Sequence, residues 1–326
     1  MENVKIIGTG YATPNQKITN DQLSQVVDTS DTWIRSRTGI SSRYISCQEN
    51  TSDLALRAAQ NAIQASGIDP RSIRLILVAT LTPDNYTPTV ACQVQAGLGL
   101  NAQPVMAFDL NAACSGFLFA LECAASLLKE GVALIIGAET LSKILDWNDR
   151  NTCVLFGDGA GACLIERVQD GSSMTFYARS KGDVDHALYC PDRSLQPDLM
   201  NKTEKKSYLS MKGRDVFRFA IQAMPDAIQH VLQGQSLDAV DLMIPHQANI
   251  RILEHVSKKM GFGMEKMFVN LDTLGNTSAA SVPIALAQAW EQGKIKEGMQ
   301  VILVGFGAGF TWGACKIQHG KGEDTQ

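Results

Sequence analysis

No stretch of the 326-residue chain reaches about 18 consecutive apolar residues, the length a helix needs to cross a bilayer, so no membrane span is expected. The opening residues MENVKIIGTG are too short and too polar for a secretory signal. The eight cysteines (Cys47, Cys92, Cys114, Cys123, Cys153, Cys163, Cys190 and Cys315) form no C-x-x-C pair and no metal-ligand spacing. Scattered thiols in a long chain without a signal point to a reducing, cytoplasmic setting and to no metal site. Charge of one sign is missing too. The net charge is −4, and no run of like charges would make a nucleic-acid arm or an acidic tail.

Phosphate-loop signals are also lacking. Residues 8–10 read GTG but run on to Pro14 rather than into a helix, so they form no dinucleotide loop. GDGAGA at 157–162 and GFGAG at 305–309 lack the Lys-Ser/Thr ending of a phosphate loop. Their glycines are expected to serve tight turns and close sheet packing. His186, His230 and His319 have no ligand pattern nearby and read as structural or surface residues.

What is present is a soluble, globular composition, 45% hydrophobic and 19% charged, long enough for a large core. Val4–Gly8, Leu75–Thr80, Ala133–Gly137 and Val301–Gly305 read as strands, the last three as continuous apolar runs buried on both faces. Ser52–Ala65 reads as a helix ending near Gly67. The alternation predicts an α/β fold around a mixed sheet. A faint repeat spans the chain: GIDPRSIRLILVAT, FDLNAACSGFLFAL and GVALIIGAET are echoed by QSLDAVDLMIPHQ, FVNLDTLGNTSAASVPIAL and GMQVILVGFG. It predicts two related halves, 1–170 and 171–326, packed as one body because no Pro/Ser-rich linker parts them. Phe117–Leu128 and Ser278–Trp290 are helical stretches with no clear solvent face, which places both between two sheets.

Cys114 begins the first of these helices, where the helix dipole and unpaired N–H groups favour the thiolate and a lowered pKa. A lone cysteine there more often only packs. His246 directly follows the strand DLMIP, and Asn276 opens the second helix at a place the repeat makes equivalent to that of Cys114. Alone, His246 reads as a packing residue and Asn276 as an N-cap. Together, brought to one point by a pseudo-twofold, the three read as a site.

NAACSGF (111–117), PHQANIRI (245–252) and GNTSAAS (275–281) resemble the condensing enzymes of the thiolase superfamily. IIGTGYATP (6–14), TSDTWIRSRTGI (29–40), DRNTCVLFGDGAGA (149–162) and GFGAGFTWG (305–313) extend the resemblance, over nearly the whole chain, to the β-ketoacyl-acyl-carrier-protein synthase III family. The resemblance implies a layered α-β-α-β-α fold and a homodimer. It implies condensation of an acyl-CoA primer with malonyl-acyl carrier protein, with acyl-CoA as substrate and no cofactor. A secondary-metabolism condensing enzyme or acyltransferase with the same triad is the alternative. A thiolase needs a second catalytic cysteine, and Cys315, the one candidate, lies in a strand-like run. A silent acyl-binding scaffold sits poorly with an intact triad.

Carried over residue by residue, the resemblance makes Cys114, His246 and Asn276 the catalytic triad, with the N–H groups of Cys114 and Ala308 as oxyanion hole. Trp33, Arg37, Thr38 and Arg150 would hold the adenine and phosphates of CoA, and Met211, Gly213, Arg214 and Phe217 the pantetheine. Tyr86, Thr87 and Phe306 would border the acyl pocket, Thr87 reaching it across the dimer interface. Thr87 stands where acetyl-selective relatives carry phenylalanine, so primers longer than acetyl are expected. Arg251, His255 and Lys258, at helical spacing with Lys259 beside them, and Arg218 would dock the acidic carrier protein. A solvated helix face is the plainer reading of that stripe.

Overall fold

The computed structural model describes residues 2–169, 172–191 and 208–318, so His319 lies outside the described residues. In chain order the strands are β1 (Val4–Ala12), β2 (Gln16–Thr19), β3 (Ser42–Ile45), β4 (Ile73–Ala79), β5 (Met106–Leu110), β6 (Val132–Glu139) and β7 (Gly159–Arg167). Then follow β8 (Ser173–Ser180), β9 (Leu188–Tyr189), β10 (Ser210–Met211), β11 (Leu242–Pro245), β12 (Gln300–Gly307) and β13 (Thr311–Gln318). The helices are α1 (Asn20–Leu23), α2 (Asp31–Thr38), α3 (Thr51–Ser66), α4 (Val90–Gly97), α5 (Gly116–Leu127), α6 (Gly213–Leu232), α7 (Ile250–Met260), α8 (Leu271–Leu274) and α9 (Ser281–Glu291).

Two mixed sheets organise these elements. The first runs β1-β7-β6-β4-β5 and the second β11-β12-β13-β8. β4 lies parallel to both β5 and β6, and β11 parallel to β12, while the other neighbours are antiparallel. The apolar runs became strands because both faces are covered: every residue of β6 and of β11 is buried. All strands of the first sheet precede residue 170 and all strands of the second follow it.

Five layers result. α3 and α4 cover the outer face of the first sheet, where Leu54, Ala58 and Val94 pack on Ile76 and Leu134. α6 and α7 cover the outer face of the second, with Met224, Ile228 and Leu253 on Met243 and Ile302. Between the sheets lie α5 and α9: Phe117, Leu121 and Leu286 pack with Leu77 and Ile135 on one side and with Ile244 and Leu303 on the other. Each such side chain contributes about 1.5–3 kcal/mol by leaving water. This is the layered α-β-α-β-α fold that the resemblance implied.

α9 reaches the first sheet because β7 offers glycine. A Cβ on Gly161 would stand 2.4 Å from Ile284 N, inside any tolerable contact. α5 differs from expectation in one respect. Cys123, Ser126 and Leu127 are exposed, so this helix does have an outer strip over its second half. The strip carries a cysteine and a leucine in place of charges, which is why the sequence hid it. Among the described residues, no helix is long and apolar enough to cross a membrane.

Candidate active site

Two short 3-10 turns, Ala113–Ser115 and Ser278–Ala280, lead into α5 and α9. They are built alike. Their first residues, Ala113 and Ser278, both take left-handed backbone, with φ of 47° and 48°. In each an asparagine clamps the turn: Asn111 Oδ1 accepts the Ala113 N–H at 3.0 Å, and Asn276 Oδ1 accepts the Ser278 N–H at 2.9 Å. The residue in register with Asn276 is therefore Asn111, and Cys114 is in register with Ala279. The sequence repeat had set Cys114 against Asn276. Both do sit at the matching helix starts, but within different positions of the turn.

Cys114 is 8% exposed and lies against β12. A Cβ on Gly307 would stand 2.7 Å from Cys114 N and 3.2 Å from Cys114 Cβ, so only glycine leaves that amide open. Ala308, half-buried, follows directly in the loop that joins β12 to β13. Thr311 ties this loop to the cysteine turn. Its Oγ1 stands 2.9 Å from Ala112 O and 3.0 Å from Ala308 O, and its carbonyl accepts from Ser115 Oγ at 3.2 Å. The thiol itself departs from expectation. Burial pushes it up to about 12, and the nearby Glu139 carboxyl adds to the rise. Desolvation of the thiolate outweighs the pull of the helix start.

His246 follows β11 and donates its backbone N–H to Val304 O at 2.8 Å. Its ring stands edge-on to Phe306, with centroids 5.4 Å apart. Burial drives its pKa down to about 3, so the imidazole is neutral. Nδ1 is buried with no hydrogen-bond partner among the described residues. A Cβ on Gly305 would stand 3.6 Å from His246 Cβ and 3.8 Å from Cys114 O, which sets both residues against one point of β12. Asn276 is anchored by its backbone to Leu155 O and Gly157 N, and its carboxamide oxygen is held by Ser278. That hydrogen bond assigns the –NH2 end to the opposite direction.

An apolar cluster links this point to the surface. It holds Phe306, buried, with Trp33, Met211 and Phe217, partly buried, at its edge. The Arg150 guanidinium lies 5.2 Å from the Trp33 ring, and Nη1 donates to Asp28 O at 3.1 Å. Arg37 is exposed on α2, and its carbonyl accepts from Asn249 Nδ2 at 3.1 Å, which fastens α2 to the start of α7. Gly213 and Arg214 are exposed at the start of α6. Thr38 behaves differently: it is buried, its hydroxyl donates to Ile34 O at 2.7 Å and accepts the Ile40 N–H at 3.0 Å. Its side chain closes the end of α2.

On α7, Arg251, His255, Lys258 and Lys259 are exposed while Ile252, Leu253 and Val256 are buried. Arg251 Nη2 donates to Ser36 O at 2.6 Å and Lys259 Nζ to Ile221 O at 2.9 Å, so this cationic stripe is braced against α2 and α6. Arg218, exposed on α6, has Asp215 3.7 Å away. Tyr86 and Thr87 are exposed on the outer surface, in the loop before α4. Cavities of about 470 and 530 Å³, lined respectively by residues such as Asp272 and Gln288 and by Glu130 and Arg167, include none of these residues.

Both the sequence and the fold have known counterparts. The family model for 3-oxoacyl-[acyl-carrier-protein] synthase III matches residues 108–182, and that for its C-terminal part matches 232–319. A β-ketoacyl-[acyl-carrier-protein] synthase III of Clostridium acetobutylicum is 47% identical over 98% of this chain and 100% of its own length. The chain belongs to the β-ketoacyl-[acyl-carrier-protein] synthase III family. It is accordingly an acyltransferase of the condensing type. The crystal structure of the Aquifex aeolicus synthase III superposes with a TM-score of 0.89 at 42% identity, covering 97% of this chain and all of that one. A priming β-ketosynthase of the R1128 polyketide pathway reaches the same TM-score, 0.89, at 28% identity, covering 98% of this chain and 97% of its own.

Sequence reasoning missed two neighbours of the thiol in this synthase. Glu139, at the end of β6, is fully buried and accepts from Thr80 Oγ1, Leu81 N and Thr82 Oγ1. Ser278 lies between it and Cys114. The signal was a lone carboxylate closing the apolar run ALIIGAE.

Proposed function

We propose that the chain condenses an acyl-CoA primer with malonyl-acyl carrier protein, releasing CO2 and β-ketoacyl-acyl carrier protein and so starting fatty-acid synthesis. Cys114 attacks the acyl-CoA thioester and carries the acyl group. The N–H groups of Cys114 and Ala308 hold the tetrahedral oxyanion. Malonyl-carrier protein then replaces CoA and loses CO2. His246 and Asn276 donate to the oxygen of the resulting enolate, whose carbon attacks acyl-Cys114. Neutral donors suit that step, because a carboxylate there would repel the enolate, and burial keeps His246 uncharged.

The observation that carries this reading is the meeting of Cys114 and His246 at Gly305 of β12, beside a turn clamped by Asn276. Around it, Trp33, Arg37 and Arg150 take the nucleotide end of CoA. Met211, Gly213, Arg214 and Phe217 take the pantetheine, and Phe306 with Tyr86 and Thr87 bounds the acyl chain. Thr38 supports α2 from behind. Arg218, Arg251, Lys258 and Lys259 receive the acidic carrier protein. The working unit is a homodimer, and a threonine at position 87 admits primers longer than acetyl. The likeness to a priming polyketide ketosynthase favours a second reading, the same chemistry serving secondary metabolism.

The test is incubation with a series from acetyl-CoA to dodecanoyl-CoA, followed by mass spectrometry and then by malonyl-carrier protein. An acyl adduct on Cys114, absent from Cys114→Ser and discharged by malonyl-carrier protein as β-ketoacyl product, is expected. No adduct with any member overturns the proposal. A product only with a carrier protein of polyketide type selects the second reading.

A further inference from the structure

Burial leaves an unsolved proton at Cys114. The sulfur must lose its proton before it attacks, yet its surroundings favour the thiol. His246 is a poor acceptor, since the same burial makes its imidazolium costly. The structure supplies another acceptor on the opposite side. The Glu139 carboxyl is wholly enclosed at the end of β6, among the hydroxyls of Thr80 and Thr82, the Leu81 N–H, Ser278 and the Cys114 thiol. No charged side chain is among its partners within the described residues.

Ser278 joins the two acids. Its Oγ faces the thiol on one side and the carboxyl on the other, yet closes a well-formed hydrogen bond with neither. A buried hydroxyl without a settled partner is costly. So is a left-handed backbone on a residue with a side chain, and Ser278 has φ 48°. Ala113 shares that backbone in the matching turn, so it is the unsettled hydroxyl between two titratable groups that calls for a role.

We infer that Ser278 and Glu139 form a proton route for Cys114, an inference that rests on Cys114 being the acyl acceptor. As sulfur attacks the thioester, the thiol proton passes to Ser278 Oγ while Ser278 gives its own proton to the Glu139 carboxylate. The carbonyl–sulfur bond to CoA breaks, and CoA leaves as a thiolate that takes a proton from solvent. Glu139 stays neutral while the acyl-enzyme waits. In the condensation, the enolate carbon bonds to the acyl carbon and the Cys114 sulfur departs with the electron pair. The proton then returns from Glu139 through Ser278, and thiol and carboxylate are restored. A neutral Glu139 during the second half also spares the anionic malonyl group a buried like charge. Ser278 touches the reacting sulfur, whereas Glu139 is a positioning residue that works through it. The burial that raises Glu139 to about 7 makes it able to hold the proton near neutrality.

Acylation of Cys114 by acyl-CoA, followed by quenched-flow mass spectrometry across neutral pH, tests the route. The wild-type rate is expected to rise with pH through about 7, as Glu139 ionises. Glu139→Gln loses this limb and acylates about 100-fold more slowly, with CoA affinity unchanged. Ser278→Gly removes the hydroxyl at a backbone conformation glycine accepts, so it answers the question even where Glu139→Gln fails to fold. The same proteins are alkylated with iodoacetamide, which needs no acyl-CoA. A wild-type enzyme that forms no acyl adduct, yet loses its alkylation limb in Ser278→Gly, sinks the acyl reading and keeps the route. Alkylation and acylation profiles in Ser278→Gly that match the wild type overturn the route itself.

Discussion

Burial moves the charges of Cys114, Glu139 and His246 toward neutrality, and each shift has a signature in stability. The folded His246 pKa lies near 3 against an ordinary value of 6.5. As pH falls below 6.5 the unfolded chain takes a proton there that the folded chain refuses, so stability declines on the acid side. Glu139 works in reverse: its pKa is raised from 4.5 to about 7, and its contribution is lost as pH rises through that window. The difference in urea stability between wild type and His246→Gln isolates the histidine. It is expected to move in favour of the variant by up to about 1.4 kcal/mol for each pH unit below 6.5, flattening near pH 3. A constant difference would mean that His246 is already protonated or solvated. Gly307→Ala tests the thiol's other side. Its Cβ would press on the Cys114 amide at 2.7 Å, and an amide cannot rotate away as a side-chain tip can. Acylation is expected to fall by about 100-fold or more, the cost of losing an oxyanion donor. Cys114, His246 and Asn276 were singled out by motifs as the proposed triad. The upward shift of the thiol could not be read that way, because it depends on how β6, β12 and α9 close around it.

At the scale of elements, apolar runs translated directly. LILVAT, ALIIG and VILVG became β4, β6 and β12; β4 starts two residues earlier and stops one short of its run, while β6 and β12 are each three residues longer than theirs. A strand covered on both faces cannot tolerate polar residues, so its sequence is nearly continuous. The turn register was less legible. Asn111 and Asn276 are the true counterparts, and spacing alone did not reveal the clamp that makes them so. The packing of α9 on β7 gives a prediction of its own. Gly161→Ala puts a methyl 2.4 Å from Ile284 N and must displace the helix that begins beside the site. A loss of about 1–3 kcal/mol in urea denaturation is expected, with reduced acylation, since α9 carries the Ser278 turn at its start. On the outer face, α7 presents Arg251 already braced on α2. Arg251→Glu should raise the apparent KM for malonyl-carrier protein several-fold at low salt, and less at high salt, while leaving acyl-CoA acylation of Cys114 unchanged. An unchanged KM would remove the docking role and leave a solvated helix face.

For the whole molecule, the open question is what lies beyond β5. This strand is the edge of the first sheet, and Met106 at its start is 49% exposed. An uncovered edge is a template for another strand. The loop bearing Tyr86 and Thr87 sits at the same margin, because Asp109 of β5 accepts the Val90 and Ala91 N–H groups at 2.8 Å and so fixes the start of α4 there. Within the chain Thr87 is exposed. Its proposed part in specificity could be read only through the family, since no pattern along one sequence encodes a neighbour from a second copy. A second chain paired on β5 would turn that loop into the partner's acyl pocket. Two variants separate the steps of this argument. Met106→Arg places charge on the edge and is expected to shift light scattering toward the monomer and to abolish selectivity among acyl-CoA lengths. Thr87→Phe is expected to leave the edge pairing intact and to fill the proposed pocket. It should cut acylation by long primers by at least tenfold relative to acetyl-CoA, within the discrimination a hydrophobic pocket can exert through volume. If Thr87→Phe leaves the chain-length profile of the dimer as it was, the acyl pocket is bounded by other residues, and the edge strand retains only its part in assembly.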